Sequence, residues 1–343
     1  MHIPMMMVMI MAAPGYDDKM DVMCFIDDAG ARRDVATQAD WAIRREHIIE
    51  NTQPVMGMMP DETRKVDPDV EVLEEVETAS FVRKKITFAP EDGDRVPAYL
   101  FLPRGVDAPG PAMLCLHQTT GIGKGEPAGI GGKPELHYAM ELAERGYVTL
   151  APDYPTFGDY DIDVYARGYV SATMKGIYNH MRAVDLLQSL PEVDGERIGV
   201  IGHSLGGHNS LFVATFDERL KVVVTSCGFT RFAKYYSGDL TGWTHRGYMP
   251  RIASVYDKDA SRMPFDFTEI LAALAPRPVF VNAPLGDGNF EVTGVYDCLN
   301  VARPVYGLWN AEAKLVAAHP DAGHGFPDEV RQQAYEFIDE ALR

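Results

Sequence analysis

Basic residues are scarce in this 343-residue chain: 32 Lys and Arg stand against 50 Asp and Glu, a net charge of -18. Affinity for nucleic acid comes from Lys and Arg neutralising phosphate, so nucleic acid is not an expected partner. Anionic membrane surfaces are excluded for the same reason. Cysteine is also sparse: Cys24, Cys115, Cys227 and Cys298 are far apart and form no C-x-x-C. Neither a disulfide framework nor a cysteine zinc site is expected. No H-E-x-x-H pair occurs, so no metal is expected either. No repeat and no low-complexity tract interrupts the chain. The apolar run Ile3–Ala13 is too short to span a bilayer. It has the length of a leader core, but no Lys or Arg precedes it and Pro4 breaks its start. A cytoplasmic protein without a cleaved leader is the expectation, with export as the alternative.

What is present reads as a folded enzyme-sized body. Hydrophobic residues make up 46% and charged residues 24% of the chain, enough for a sizeable core. Residues 1–80 read as an N-terminal arm: a disordered start, then an acidic stretch of helix and loop from 14 that packs on the main domain rather than forming its own core. Within it, Trp41, Ile48 and Ile49 recur at helical spacing, and the pattern is expected to stop at Gln53-Pro54. From 81 to 343 the pattern changes. "FVRKKITF" and "RVPAYLFL" flank a Gly-containing turn and predict an antiparallel hairpin. Apolar strand-like runs then alternate with helical ones: 111–117, 147–152, 197–202, 220–227, 277–284 and 314–320, with helices between them. This alternation predicts an α/β fold with a mostly parallel sheet, antiparallel leading strands and helices on both faces. The segment 229–267 departs from the rhythm and is rich in aromatics. It predicts either a lid and pocket wall or an insertion whose aromatics simply pack onto the body.

The chemistry centres on "RIGVIGHSLGGHNSLF" (197–212). Ser204 lies in a G-x-S-x-G pentapeptide, preceded by a β-branched strand and followed by an apolar helix. A sharp strand-to-helix turn would lift its hydroxyl above the sheet, over a helix N-terminus that favours negative charge. A serine needs a base. "KLVAAHPDAGHGFPDEV" offers His319, at a strand end, and His324, in the loop before the last helix. A loop can carry an imidazole to Ser204, so His324 is the candidate base and His319 a packed residue. The acid should follow the preceding strand, where "LGDGNFEV" places Asp287, with Glu291 as rival. The order Ser204, Asp287, His324 is the one such folds use. Two backbone N–H groups must hold the developing oxyanion. Leu205 should give one and either Gln118 or Thr119, in "LHQTTGIGKGEPAG", the other. That loop lacks the G-x-x-x-x-G-K-[ST] spacing of a phosphate loop. Tyr154, Phe157, Tyr235, Tyr236 and Trp243 are the candidate substrate-binding residues.

"GHSLGG", Asp287 and "GHGF" together resemble the α/β-hydrolase superfamily from Phe81 to the C-terminus. With "GYVTLAPDYPTFGDY" and "MRAVDLLQSLPEVDGERIGV", the chain resembles the branch of dienelactone hydrolases and acetyl xylan esterases. It carries serine where dienelactone hydrolases carry cysteine. It is similar as well to the catalytic domain of prolyl-oligopeptidase-type peptidases, although 80 leading residues are too few for the β-propeller those enzymes carry. The resemblance implies cofactor-free hydrolysis of a small-molecule ester, with an amidase or peptidase as the alternative. Homo-oligomerisation is left open.

Overall fold

The computed structural model describes residues 13–106 and 109–343. The apolar run 3–13 lies outside them except for Ala13. In chain order the elements are β1 (Cys24–Ile26), β2 (Arg32–Asp34), α1 (Gln38–Met56), β3 (Glu71–Glu77), β4 (Phe81–Phe88), β5 (Val96–Pro103), β6 (Gly110–Leu116), α2 (Tyr138–Glu144), β7 (Val148–Pro152) and α3 (Ala172–Ser189). They continue as β8 (Val193–His203), α4 (Leu205–Phe216), β9 (Leu220–Ser226), α5 (Arg251–Ser254), α6 (Phe267–Ala272), β10 (Val279–Asn282), α7 (Val292–Gly307), β11 (Leu315–Ala318) and α8 (Asp328–Leu342). Nine strands form one sheet in the order β11-β10-β9-β8-β6-β7-β5-β4-β3. Strands β6 to β11 run parallel, and β3, β4 and β5 add antiparallel to one side. The fold is that of an α/β-hydrolase. No described helix is long and apolar enough to cross a membrane.

The apolar strands explain the double cover. In β6 every residue is buried, because helices shield both faces. One core cluster packs α3 and α4 against β6 and β8, and the other packs α2 and α8 against the opposite face. The hairpin of β4 and β5 pairs Phe81 with Pro103 and Phe88 with Val96, as the alternation predicts.

The described residues before 80 contribute core side chains and a strand to the body. Val22, Phe25, Val35, Trp41, Ile48 and Val55 belong to the main core cluster. Glu71–Glu77 forms the outermost strand of the sheet, so position 80 falls between two paired strands. Its acidic residues face Arg83 and Lys84 across the pair, which explains a strand of so little hydrophobicity. Helix α1 starts at a capping box, with Thr37 and Asp40 each accepting from the other's backbone N–H. It runs through Pro54 to Met56, two residues beyond the expected stop. Proline there removes one hydrogen bond in the final turn, and burial of Val55 and Met56 in the core outweighs that loss.

The 229–267 segment is short helical turns. Phe229, Phe232, Trp243, Phe265 and Phe267 are buried, and Phe232 and Trp243 meet edge to face with ring centroids 5.9 Å apart. Most of its aromatics therefore pack the segment onto the body, while a few form the wall described next.

Candidate active site

Ser204 occupies the turn between β8 and α4 with φ 54° and ψ -115°, a region non-glycine residues seldom adopt. The flanking glycines make the turn possible. A Cβ on Gly202 would lie 2.2 Å from the Gly206 carbonyl oxygen, and one on Gly206 would lie 1.9 Å from that of Leu116. The Ser204 N–H donates to the Ser226 carbonyl at 2.8 Å, tying the turn to the end of β9.

The loop after β11 delivers His324. Its Nε2 lies 3.0 Å from Ser204 Oγ, and its Nδ1 lies 3.0 Å from each carboxylate oxygen of Asp287. Asp287 sits in the turn after β10, where its Oδ1 accepts from the backbone of Asn289 at 2.8 Å and Phe290 at 3.1 Å. Burial by itself would raise the pKa of this carboxyl. The His324 hydrogen bond and charge, with the two amides, outweigh burial and hold it below the usual carboxylate range. The two rivals point elsewhere. His319 Nδ1 bonds the Ala283 carbonyl at 2.9 Å, and Glu291 is exposed, beside Thr293 and Lys234.

The other imidazoles near Ser204 are held neutral. Burial pushes His203 and His208 down to about 3, so neither takes up a proton at neutral pH. His117 is fixed as one tautomer. The Tyr154 N–H donates to its Nε2 at 2.9 Å, so Nδ1 carries the hydrogen and donates to the Gln118 carbonyl at 2.6 Å. In a trans peptide the N–H points opposite to the C=O. The Thr119 N–H is therefore turned away from His117. Thr119 lines the cavity beside Ser204, whereas the Gln118 side chain donates away from it to Glu126. Leu205 is the first residue of α4, where an N–H has no intrahelical partner, and it too lines the cavity.

That cavity measures about 100 Å3 and is walled by His208, Tyr235, Trp243, Tyr248, Asn289 and Phe290. A larger hollow of about 370 Å3 lies between Lys85, Tyr99 and the 121–132 loop, and Ser204 is not among the residues that line it. Of the five expected substrate contacts, Tyr235 and Trp243 line the cavity and three do not. Tyr154 is buried against Gly176, whose missing Cβ makes room for its ring, and its hydroxyl donates to the Gly247 carbonyl at 3.1 Å. Phe157 packs on His117 and Tyr154. Tyr236 is exposed, with its hydroxyl 3.0 Å from the Asn289 side chain. Tyr248, one of the aromatics of the 229–267 segment, also lines the cavity, and the sequence did not point to His208, Asn289 or Phe290. His208 was accessible, standing one helical turn after Ser204 and hence on the same face.

Fold and site define a serine hydrolase. The prolyl oligopeptidase family matches residues 135–342, and the chain belongs to that family. A Bacillus subtilis protein named as a hydrolase, YtaP, is 28% identical over 301 residues, covering 84% of this chain and 90% of that one. A glucuronoyl esterase from Solibacter usitatus superposes with a TM-score of 0.75 at 19% identity, over 96% of this chain and 99% of its own. Acetyl xylan esterase 1 from a Thermoanaerobacterium species gives 0.60 at 18% identity, over 87% and 94%. These two structural likenesses establish the shared fold.

Proposed function

We propose that this protein hydrolyses carboxylic esters through an acyl-enzyme formed on Ser204. The observation that carries the reading is the linear set of contacts from Ser204 Oγ to His324 Nε2 and from His324 Nδ1 to Asp287, each 3.0 Å. Ser204 Oγ attacks the ester carbonyl while His324 Nε2 takes its proton, and Asp287 stabilises the imidazolium that forms. The Leu205 and Thr119 N–H groups donate to the oxyanion. His324 then gives the proton to the leaving alkoxide. In the second half it draws a proton from water, which attacks the acyl carbonyl and releases the acid and Ser204. The small aromatic cavity favours one compact substituent of the ester beside Ser204.

An ester rather than an amide is supported by the two solved structures above, both named as esterases and matched over most of the chain. Family membership supports the second reading, hydrolysis of an amide or peptide by the same residues. Ser204→Ala should lower kcat/KM on p-nitrophenyl acetate by at least about a thousandfold, with the circular dichroism unchanged. Undiminished turnover would remove Ser204 from the chemistry. Matched ester and anilide substrates separate the two readings: a faster anilide reaction favours the peptidase.

A further inference from the structure

Cys227 takes no part in the acyl-transfer scheme, yet it sits against it. It follows the last residue of β9 with φ 47°, another left-handed non-glycine conformation. Its sulfur lies 3.3 Å from the Gly325 carbonyl and 3.9 Å from Asn282 Nδ2. Cys227 Sγ, an Asp287 carboxylate oxygen and a ring nitrogen of His324 all lie within 4.8 Å of one another. A thiol, an imidazole and a carboxylate are the ligand types that zinc prefers.

We propose that Cys227, Asp287 and His324 form an inhibitory zinc site inside the candidate active site. Asp287 Oδ1 keeps the Asn289 and Phe290 amides, which leaves Oδ2 for the metal. Zinc–sulfur and zinc–nitrogen bonds of about 2.3 and 2.0 Å place tetrahedral ligands about 3.5 Å apart. The His324–Asp287 pair is already that close, and the thiol must move in by roughly 1 Å. Solvent or the Gly325 carbonyl completes the shell. The metal enters beside His324, whose side chain is 26% exposed.

The protons balance. Cys227 gives up its thiol proton to solvent as sulfur binds the metal. His324 Nδ1 offers its lone pair to zinc, and the neutral ring carries its hydrogen on Nε2 instead. Each zinc bound releases one proton, so binding strengthens as pH rises. Nε2 is the atom 3.0 Å from Ser204 Oγ. Once it bears a hydrogen it cannot accept the serine proton, and the nucleophile is left without its base. The inhibition rests on the esterase reading; the metal binding does not.

The test separates them. Chelator-treated protein is titrated with Co(II), then with Zn(II), and ester turnover is followed in parallel. The expected results are one metal per chain, a near-ultraviolet thiolate-to-Co(II) band, and zinc inhibition reversed by EDTA. Cys227→Ser should lose the band and need at least about tenfold more zinc for half-inhibition; Cys227→Ala gives an independent second reading. The absence of a thiolate band, or equal zinc inhibition in wild type and both variants, overturns the site. Should no ester be turned over, the Co(II) band alone decides the metal site, and the esterase reading fails separately.

Discussion

A methyl group at Gly206 would lie 1.9 Å from the Leu116 carbonyl oxygen, and that contact is backbone, which cannot rotate away. Gly206→Ala should therefore destabilise the fold by about 3 kcal/mol through overpacking, read as a lower denaturant midpoint. An unchanged midpoint would mean that α4 can retreat from β6. The glycine spacing was readable in the sequence because it is a local steric demand. Thr119 was not separable from Gln118 there. The peptide between them takes its orientation from His117 and Tyr154, which stand at two different strand ends. In the sequence Cys227 is only the last residue of the apolar run 220–227. Only the meeting of the β9 and β10 ends with the 324 loop brings its sulfur near Asp287 and His324.

At the scale of elements, α6 is anchored by buried acids. Asp266 caps it, and its Oδ1 also accepts the Phe232 N–H at 2.9 Å, tying the aromatic segment to the helix. Burial pushes Asp266 up to about 7, and the two amides and Arg231 offset only part of that. The folded state thus holds a proton that the unfolded chain, with an ordinary value of 3.8, has lost. Stability falls as pH rises from about 4 to about 7 and stays lower above it. Asp266→Asn keeps the acceptor and removes the titration. Its stability relative to wild type should rise by about 2–4 kcal/mol between pH 5 and pH 8. A difference independent of pH would contradict the assignment. Element positions were legible to within a few residues wherever apolar periodicity was strong, as in α4 at 205–216. The edge strand β3 escaped notice because its partners are charges across the pair rather than an apolar face.

Across the whole molecule, the described residues from 13 to 80 are built into the body. Arg44 on α1 forms an ion pair with Glu269 on α6 at 2.5 Å, and both side chains are fully buried. Removing one partner of such a pair leaves an uncompensated charge and costs about 3–5 kcal/mol. A chain beginning at residue 81 would strand Glu269, uncover the core around Trp41 and Ile48, and expose the edge of β4. It should be recovered insoluble or without near-ultraviolet circular dichroism. Cooperative unfolding at the wild-type temperature would show instead that 81–343 folds alone.

What the sequence determined by itself was local: periodicity, turn chemistry and the order of a serine, an acid and a histidine along the chain. These follow from sterics within a few residues and from the right-handed alternation of strand and helix. The tertiary structure alone decided which residues wall the cavity, how the leading residues enter the core, and that a fourth reactive group lies beside Asp287 and His324. Those contacts join distant segments, 37 residues apart for His117 with Tyr154 and 225 for Arg44 with Glu269, and no local pattern carries a distance between side chains that meet only when the sheet is assembled.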